Sequence, residues 1–120
     1  MICLIQRVNH AEVKIKDISY SKIKKGLLVF LGIEKSDGNE DLDYILKKTL
    51  GLRIFSDQKN KMNLSVQDIK GQILVVSQFT LCADISKGKR PSYFNAASPQ
   101  KAEKLYFDFI KKIEDLQLDV

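Results

Sequence analysis

The residues with the most chemical potential are Ser77-Gln78-Phe79-Thr80-Leu81. They follow Gln72-Ile73-Leu74-Val75-Val76, a stretch β-branched and apolar enough to form a buried strand. A core strand that ends in a serine, a glutamine and a threonine around one phenylalanine supplies hydrogen bonds rather than a strong acid or base. Ser77 and Gln78 can orient a substrate. Backbone N–H groups at such a strand end can polarise a carbonyl. Phe79 can pack on an apolar ring. Thr80 is a candidate nucleophile with no evident base beside it. Shortly after, Arg90-Pro91-Ser92-Tyr93-Phe94 brings a cation and two aromatics, which suit a phosphate and a stacked base. Each residue alone has a plain reading: Ser77 and Thr80 tie off a strand, and Arg90 sits in a surface salt bridge. Taken together they favour a binding site.

Other routes to chemistry are thinly provided. The one histidine, His10, lies in a strand-like segment, where a surface or structural role is the ordinary one. No Cys/His cluster has zinc spacing, and no metal site is expected. Neither a GxxxxGK[ST] loop nor a GxGxxG turn is present. Asp41 and Asp43 fall on different sides of a helical pattern and do not form an acid–base pair. Cys3 and Cys82 sit in or beside apolar strand-like segments and read as buried free thiols.

These residues need elements to hold them. The chain of 120 residues has the size of one domain, residues 1–120, with 44% apolar and 29% charged residues. No apolar run approaches the ~20 residues that span a bilayer, and Met1–Arg7 reads as a first strand rather than a secretory signal, so no membrane association is expected and a cytoplasmic location is the default. Ala11, Val13 and Ile15 alternate with Glu12, Lys14 and Lys16, the period of a half-buried strand. Asp17-Ile18-Ser19 suits a turn. Gly26–Ile33 is a continuous apolar run that predicts a central strand buried on both faces. A helical stripe begins at Asn39 and runs through Leu42, Ile45, Leu46 and Leu50, with Gly51 as the expected C-cap. Leu52–Phe55 predicts a short strand, 56–60 a turn, and 72–80 a strand. Ser98 and Pro99 open the clearest helix, whose stripe of Ala102, Leu105, Tyr106, Phe109, Ile110 and Ile113 predicts core. The order predicts an α+β fold: a mainly antiparallel sheet or partial barrel with two packed helices.

Net charge is +5 and the pI about 9.2, which permits a polyanionic partner without requiring one. Scattered lysines read as a solvated surface. The Lys87-Gly88-Lys89-Arg90 cluster is the exception, because it closely follows the polar strand end.

Six segments in order resemble the D-aminoacyl-tRNA deacylase family: Ile5-Gln6-Arg7-Val8, Gly26–Ile33, Arg53-Ile54-Phe55-Ser56-Asp57, Lys61-Met62-Asn63-Leu64, Val76–Leu81 and Arg90-Pro91-Ser92-Tyr93. The resemblance runs from Met1 into the last helix. It implies a cytosolic editing hydrolase that cleaves the ester of D-aminoacyl-tRNA, with mischarged glycyl-tRNA as a second substrate, and that spares L-amino acids. It implies no metal and no organic cofactor, and a homodimer with its active sites at the subunit interface. Carried over, Ser77, Gln78, Phe79 and Thr80 form the pocket around the ester. Arg7 braces the chirality filter, Met62 and Asn63 line the pocket near the terminal adenosine, and Arg90 contacts substrate. Catalysis in the family leans on the 2′-hydroxyl of that adenosine, with Thr80 as nucleophile ranked second.

One departure stands out. The family carries a late Gly-Pro motif on a strand beyond the last helix, inserted into the partner's pocket. Here the two prolines, Pro91 and Pro99, follow Arg90 and Ser98, and the sequence given ends at Val120. The expectation is a domain without that strand, with a sheet edge left uncovered. The alternative reading is therefore a tRNA-binding module with impaired catalysis.

Overall fold

One strand, Gly26–Gly32, organises the molecule, with one strand from earlier in the chain and one from later in the chain paired on its two edges. The computed structural model describes residues 1–120. Four strands come first: β1 (Ile2–Val8), β2 (Ala11–Ile15), β3 (Ile18–Ile23) and β4 (Gly26–Gly32). Helix α1 (Asn39–Gly51) follows, then β5 (Phe55–Ser56), β6 (Met62–Leu64) and β7 (Gln72–Ser77). A 3-10 turn over Phe79–Cys82 leads to the last helix, α2 (Pro99–Asp115).

The main sheet has the order β1-β4-β7, with β4 in the centre. β1 runs antiparallel to it, Ile2 opposite Gly32 and Arg7 opposite Leu27. β7 runs parallel to it, Leu27 opposite Ile73 and Leu31 opposite Ser77. Two antiparallel hairpins, β2–β3 and β5–β6, complete the sheets, and no barrel closes. The fold is thus α+β and mainly antiparallel. The one parallel pair exists because α1 and the β5–β6 hairpin carry the chain back across the sheet.

Burial follows the pleat. Leu27, Val29 and Leu31 of β4 and Ile73 and Val75 of β7 pack against Leu42, Leu46 and Leu50 of α1 and Leu105, Phe109 and Ile113 of α2. The alternate residues Leu28 and Phe30 are only half-buried, and Leu4 opposite Phe30 is 49% exposed. The central strand is therefore fully buried on one face and partly open on the other, less than its continuous apolar run predicts.

Several boundaries differ from expectation for local reasons. The β2–β3 turn is Lys16-Asp17, both at positive φ (51° and 64°), and Ile18 already belongs to β3. Such a two-residue turn matches the twist of a hairpin. Leu52–Ile54 lacks a ladder partner, so only Phe55–Ser56 forms a strand. Gly51 is the last residue of α1 rather than its cap: the Leu52 N–H closes the helix on the Lys48 carbonyl at 3.0 Å, and Gly51 is not in the left-handed region. At the start of α1, Asp41 accepts from the Gly38 N–H at 2.9 Å. Ser98 caps α2 by accepting from the Lys101 N–H at 3.3 Å. His10 is exposed between β1 and β2 rather than within a strand. Both cysteines are free; Cys82 is buried and Cys3 half-buried, and burial pushes both thiols up.

Of the two glycines in the main sheet, Gly26 has the tighter surroundings. A Cβ there would lie 1.8 Å from the Gln72 carbonyl oxygen, so the parallel pair can start only from glycine. A Cβ at Gly51 meets nothing within 4 Å. Gly26→Ala should therefore lower stability by about 3 kcal/mol or more. Gly51→Ala should raise it by about 0.5–1 kcal/mol by removing backbone freedom within a helix. Urea denaturation of the two variants checks both signs.

Candidate functional site

The site is built where β7 ends. Ser77 is the last residue of that strand and is exposed. The Gln78 N–H then donates to the Leu31 carbonyl at 2.8 Å, and the chain turns instead of extending. The predicted strand to residue 80 is therefore three residues too long, because Phe79–Cys82 closes as a 3-10 turn, with the Ala83 N–H on the Thr80 carbonyl at 3.2 Å. This turn swings Phe79 outward, 56% exposed, to meet Tyr93 edge-on at 5.3 Å between ring centroids.

Ser77, Phe79 and Tyr93 bound one side of a groove of about 620 Å³. The other side is α2 and the segment leading into it, with Ala97, Ala102 and Tyr106 on the wall and Glu103 and Phe107 beside them. The alanines leave the space that larger side chains on the same face would fill. The Tyr106 hydroxyl donates to the Val75 carbonyl at 3.0 Å and pins the helix to β7, and burial pushes this phenol up. The segment before α2 is tied to the sheet end by hydrogen bonds from the Ala97 N–H to the Ile33 carbonyl and from the Lys35 N–H to the Asn95 carbonyl, each 2.9 Å. Behind it, Asp37 and Glu34 accept from the Met1 ammonium at 2.8 and 3.3 Å.

The predicted residues divide. Ser77 and Phe79 face the groove. Gln78 and Thr80 are half-buried beside it, and the Gln78 amide donates to the Thr80 hydroxyl. An amide cannot take a proton from that hydroxyl, so the contact orients Thr80 without activating it. Arg90 is exposed on a loop closed by Asp84 and Ser92, and it forms no salt bridge.

Arg7, Met62 and Asn63 lie elsewhere. Arg7 is opposite Leu27, whereas Ser77 is opposite Leu31. The two positions are about 13 Å apart along the sheet. The Arg7 guanidinium donates to the Ile54 carbonyl at 2.9 Å and borders a hollow of about 310 Å³ with Asn9, Lys25 and Ser56. Asn63 accepts from the Arg53 guanidinium on both its carbonyl and its side-chain oxygen, and donates to Asp57 at 3.3 Å. Met62 is 62% exposed on the same hairpin. Within one chain these three form a second cluster, away from the groove.

Sequence reasoning missed the helical wall. In the α2 stripe Leu105, Phe109 and Ile113 are fully buried; Ala102, Tyr106 and Ile110 pack against that core, and Ala102 and Tyr106 also line the groove. Two signals were present: a small residue one turn before a tyrosine, and Phe107, an aromatic outside the core stripe that is 57% exposed.

Two outcomes follow from these contacts. Tyr106→Phe should lower stability by about 1 kcal/mol, the worth of one hydrogen bond, read from the urea midpoint. In the second cluster, Asp57 accepts from the Lys61, Lys59 and Asn63 N–H groups, which hold its carboxyl below the usual aspartate range, Lys61 foremost. A lowered folded-state value means the stabilisation is present above the ordinary aspartate range and lost as pH falls through the folded value. Amide-exchange protection of the β5–β6 hairpin should fall on acidification, and Asp57→Asn should flatten that dependence.

Comparison with known proteins places this architecture. Residues 4–120 match the family described as D-Tyr-tRNA(Tyr) deacylase. The D-aminoacyl-tRNA deacylase of Thermosipho melanesiensis is 56% identical over 113 residues, 94% of this chain and 75% of the relative. That of Thermodesulfovibrio yellowstonii is 49% identical over 120 residues, 100% of this chain and 82% of the relative. Among solved structures, the c-Myc DNA Unwinding Element Binding Protein superposes with a TM-score of 0.91 at 34% identity, over 98% of this chain and 80% of the other. A probable eukaryotic D-amino acid tRNA deacylase shares the fold, with a TM-score of 0.75 at 15% identity, over 92% of this chain and 66% of the other. With its matched residues running through both helices and all three strands of the main sheet, the chain belongs to the D-Tyr-tRNA(Tyr) deacylase family.

Proposed function

We propose that this chain is an editing esterase that hydrolyses D-aminoacyl-tRNA, releasing free tRNA and the D-amino acid. The observation that carries the reading is the groove between Phe79–Tyr93 and α2, with the Ser77 hydroxyl at its edge, in a chain of this family. The groove suits an amino-acid side chain or a nucleoside ring, and the polar turn beside it suits an ester. In the reaction, water attacks the ester carbonyl, the bond to the ribose oxygen breaks, and that oxygen takes a proton. An aminoacyl ester is already activated, so positioning contributes usefully: each ~1.36 kcal/mol is tenfold in rate.

Ser77, Gln78 and Thr80 position the ester and Phe79 its apolar surroundings. The tRNA's own 2′-hydroxyl assists the attacking water. Thr80 as nucleophile is the weaker route, since its hydroxyl is hydrogen-bonded to an amide and to no base. The protein acts as a cytoplasmic homodimer. The distance between Arg7 and Ser77 along the sheet supports this, because a second copy can bring the Arg7, Met62 and Asn63 cluster to the groove of the first. The half-open apolar face around Leu4 and Phe30 supports it as well. Side-chain exclusion rejects L-amino acids and leaves glycine as a tolerated second substrate.

The test is deacylation of D- and L-aminoacyl-tRNA. The D-ester should be cleaved and the L-ester spared. Thr80→Ala should retain rate within about tenfold of the parent. A substrate ending in 2′-deoxyadenosine should react on the order of a hundredfold more slowly, the scale of one lost proton-transfer aid. The reverse pattern would favour threonine as nucleophile, and cleavage of neither ester would exclude the activity.

A further inference from the structure

The loop between Asp84 and Ser92 concentrates free positive charge beside the groove. Its ends are pinned by two backbone hydrogen bonds, 2.7 Å from the Asp84 N–H to the Ser92 carbonyl and 2.9 Å in return. One arm leaves the turn that holds Phe79, and the other runs directly into Tyr93, so the loop springs from the groove wall itself. Lys87, Lys89 and Arg90 are all exposed, and none takes part in an ion pair. The loop's one carboxylate, Asp84, stands at the base of the loop, accepts from the Ser86 N–H at 2.9 Å and pairs with none of the three cations. Gly88, at φ 65°, marks a bend whose Cβ position meets nothing within 4 Å. Neighbouring cations are engaged: Lys35 lies 3.4 Å over the Phe94 ring, Lys101 donates to the Lys35 carbonyl, and Lys104 pairs with Asp108 at 3.0 Å.

A rigidly based, unneutralised cationic loop at the mouth of an apolar groove fits a ligand with an apolar end and an anionic tail. Half of the 85–91 span reaches about 12 Å. At ~3.4 Å of rise per nucleotide in a stacked strand, that is about three phosphates. We infer that Lys87, Lys89 and Arg90 form a phosphate clamp that grips the single-stranded end of tRNA a few nucleotides inward from the ester, an assignment that rests on the groove being the ester pocket. Arg90 can fork two oxygens of one phosphate, while Lys87 and Lys89 act as point charges. The clamp would hold the strand without regard to sequence.

The experiment pairs tRNA binding across a salt series with hydrolysis of two D-aminoacyl esters, one on tRNA and one on adenosine without phosphates. In Lys87→Ala/Lys89→Ala, the slope of log affinity against log salt should fall by about 1.4, at ~0.7 per single-strand phosphate. The tRNA ester should show a raised KM with little change in kcat, and the ratio of kcat/KM for the tRNA ester to that for the adenosine ester should drop by roughly tenfold or more. Lys87→Arg/Lys89→Arg should restore both readouts. An unchanged salt slope would overturn the clamp, as would an equal loss on the adenosine ester, since the loop would then be shaping the groove. If the parent protein cleaves neither ester, the groove reading falls, and the salt slope still decides the clamp.

Discussion

The parallel register of β4 and β7 is the constraint on which the site depends. It starts at Gly26, where the two backbones approach too closely for any side chain, and it places Ser77 beside Leu31 at the far end. The Gln78 N–H makes the last ladder bond to the Leu31 carbonyl, and the 3-10 turn over Phe79–Cys82 then carries the chain out of the sheet. The turn sets Phe79 against Tyr93, and the Tyr106 hydroxyl on Val75 holds α2 at the distance that leaves a groove. A shift of one residue in this register would reverse the faces of β7, sending Ile73 and Val75 to the open side and taking Ser77 away from the groove.

The groove is a place for positioning more than for proton transfer. Its walls are aromatic and alanine-lined, and the hydroxyls near it are either exposed, as in Ser77, or bound to an amide, as in Thr80. Such a surface suits a substrate that brings its own reactivity and a good leaving group. The chemistry of an aminoacyl ester, with a vicinal hydroxyl on the same ribose, meets that description. The division of polar residues between two ends of the sheet points the same way. Arg7 donates to the Ile54 carbonyl and Asn63 accepts from Arg53, so within the chain both are engaged at the end of the sheet away from the groove.

Charge is arranged with similar economy. Cations next to the helical wall are held over a ring, on a carbonyl or against a carboxylate, where they support structure. Those on the Asp84–Ser92 loop are left to solvent. Surface ion pairs contribute little to stability, so leaving these unpaired costs the fold almost nothing and keeps them open to phosphate.

Much of this was legible in residue types and spacing. The apolar run at 26–33, the stripe from Asn39, the capped stripe from Ser98 and the polar end of β7 follow from local periodicity, capping and turn chemistry, and they define the central strand, the two helices and half of the site. The family resemblance rests on the same segments. Tertiary structure alone decided the rest. Pairing β7 parallel to β4 depends on a crossover that no local pattern encodes, and the last rung at Ser77 depends on where that register ends on β4, distant in sequence. Ala102 and Tyr106 pack on the core as a helical wheel predicts, but a wheel cannot show that the same two residues also line a groove. The separation of Arg7 from Ser77 is likewise a matter of strand register, which period-two alternation leaves open and three-dimensional packing settles.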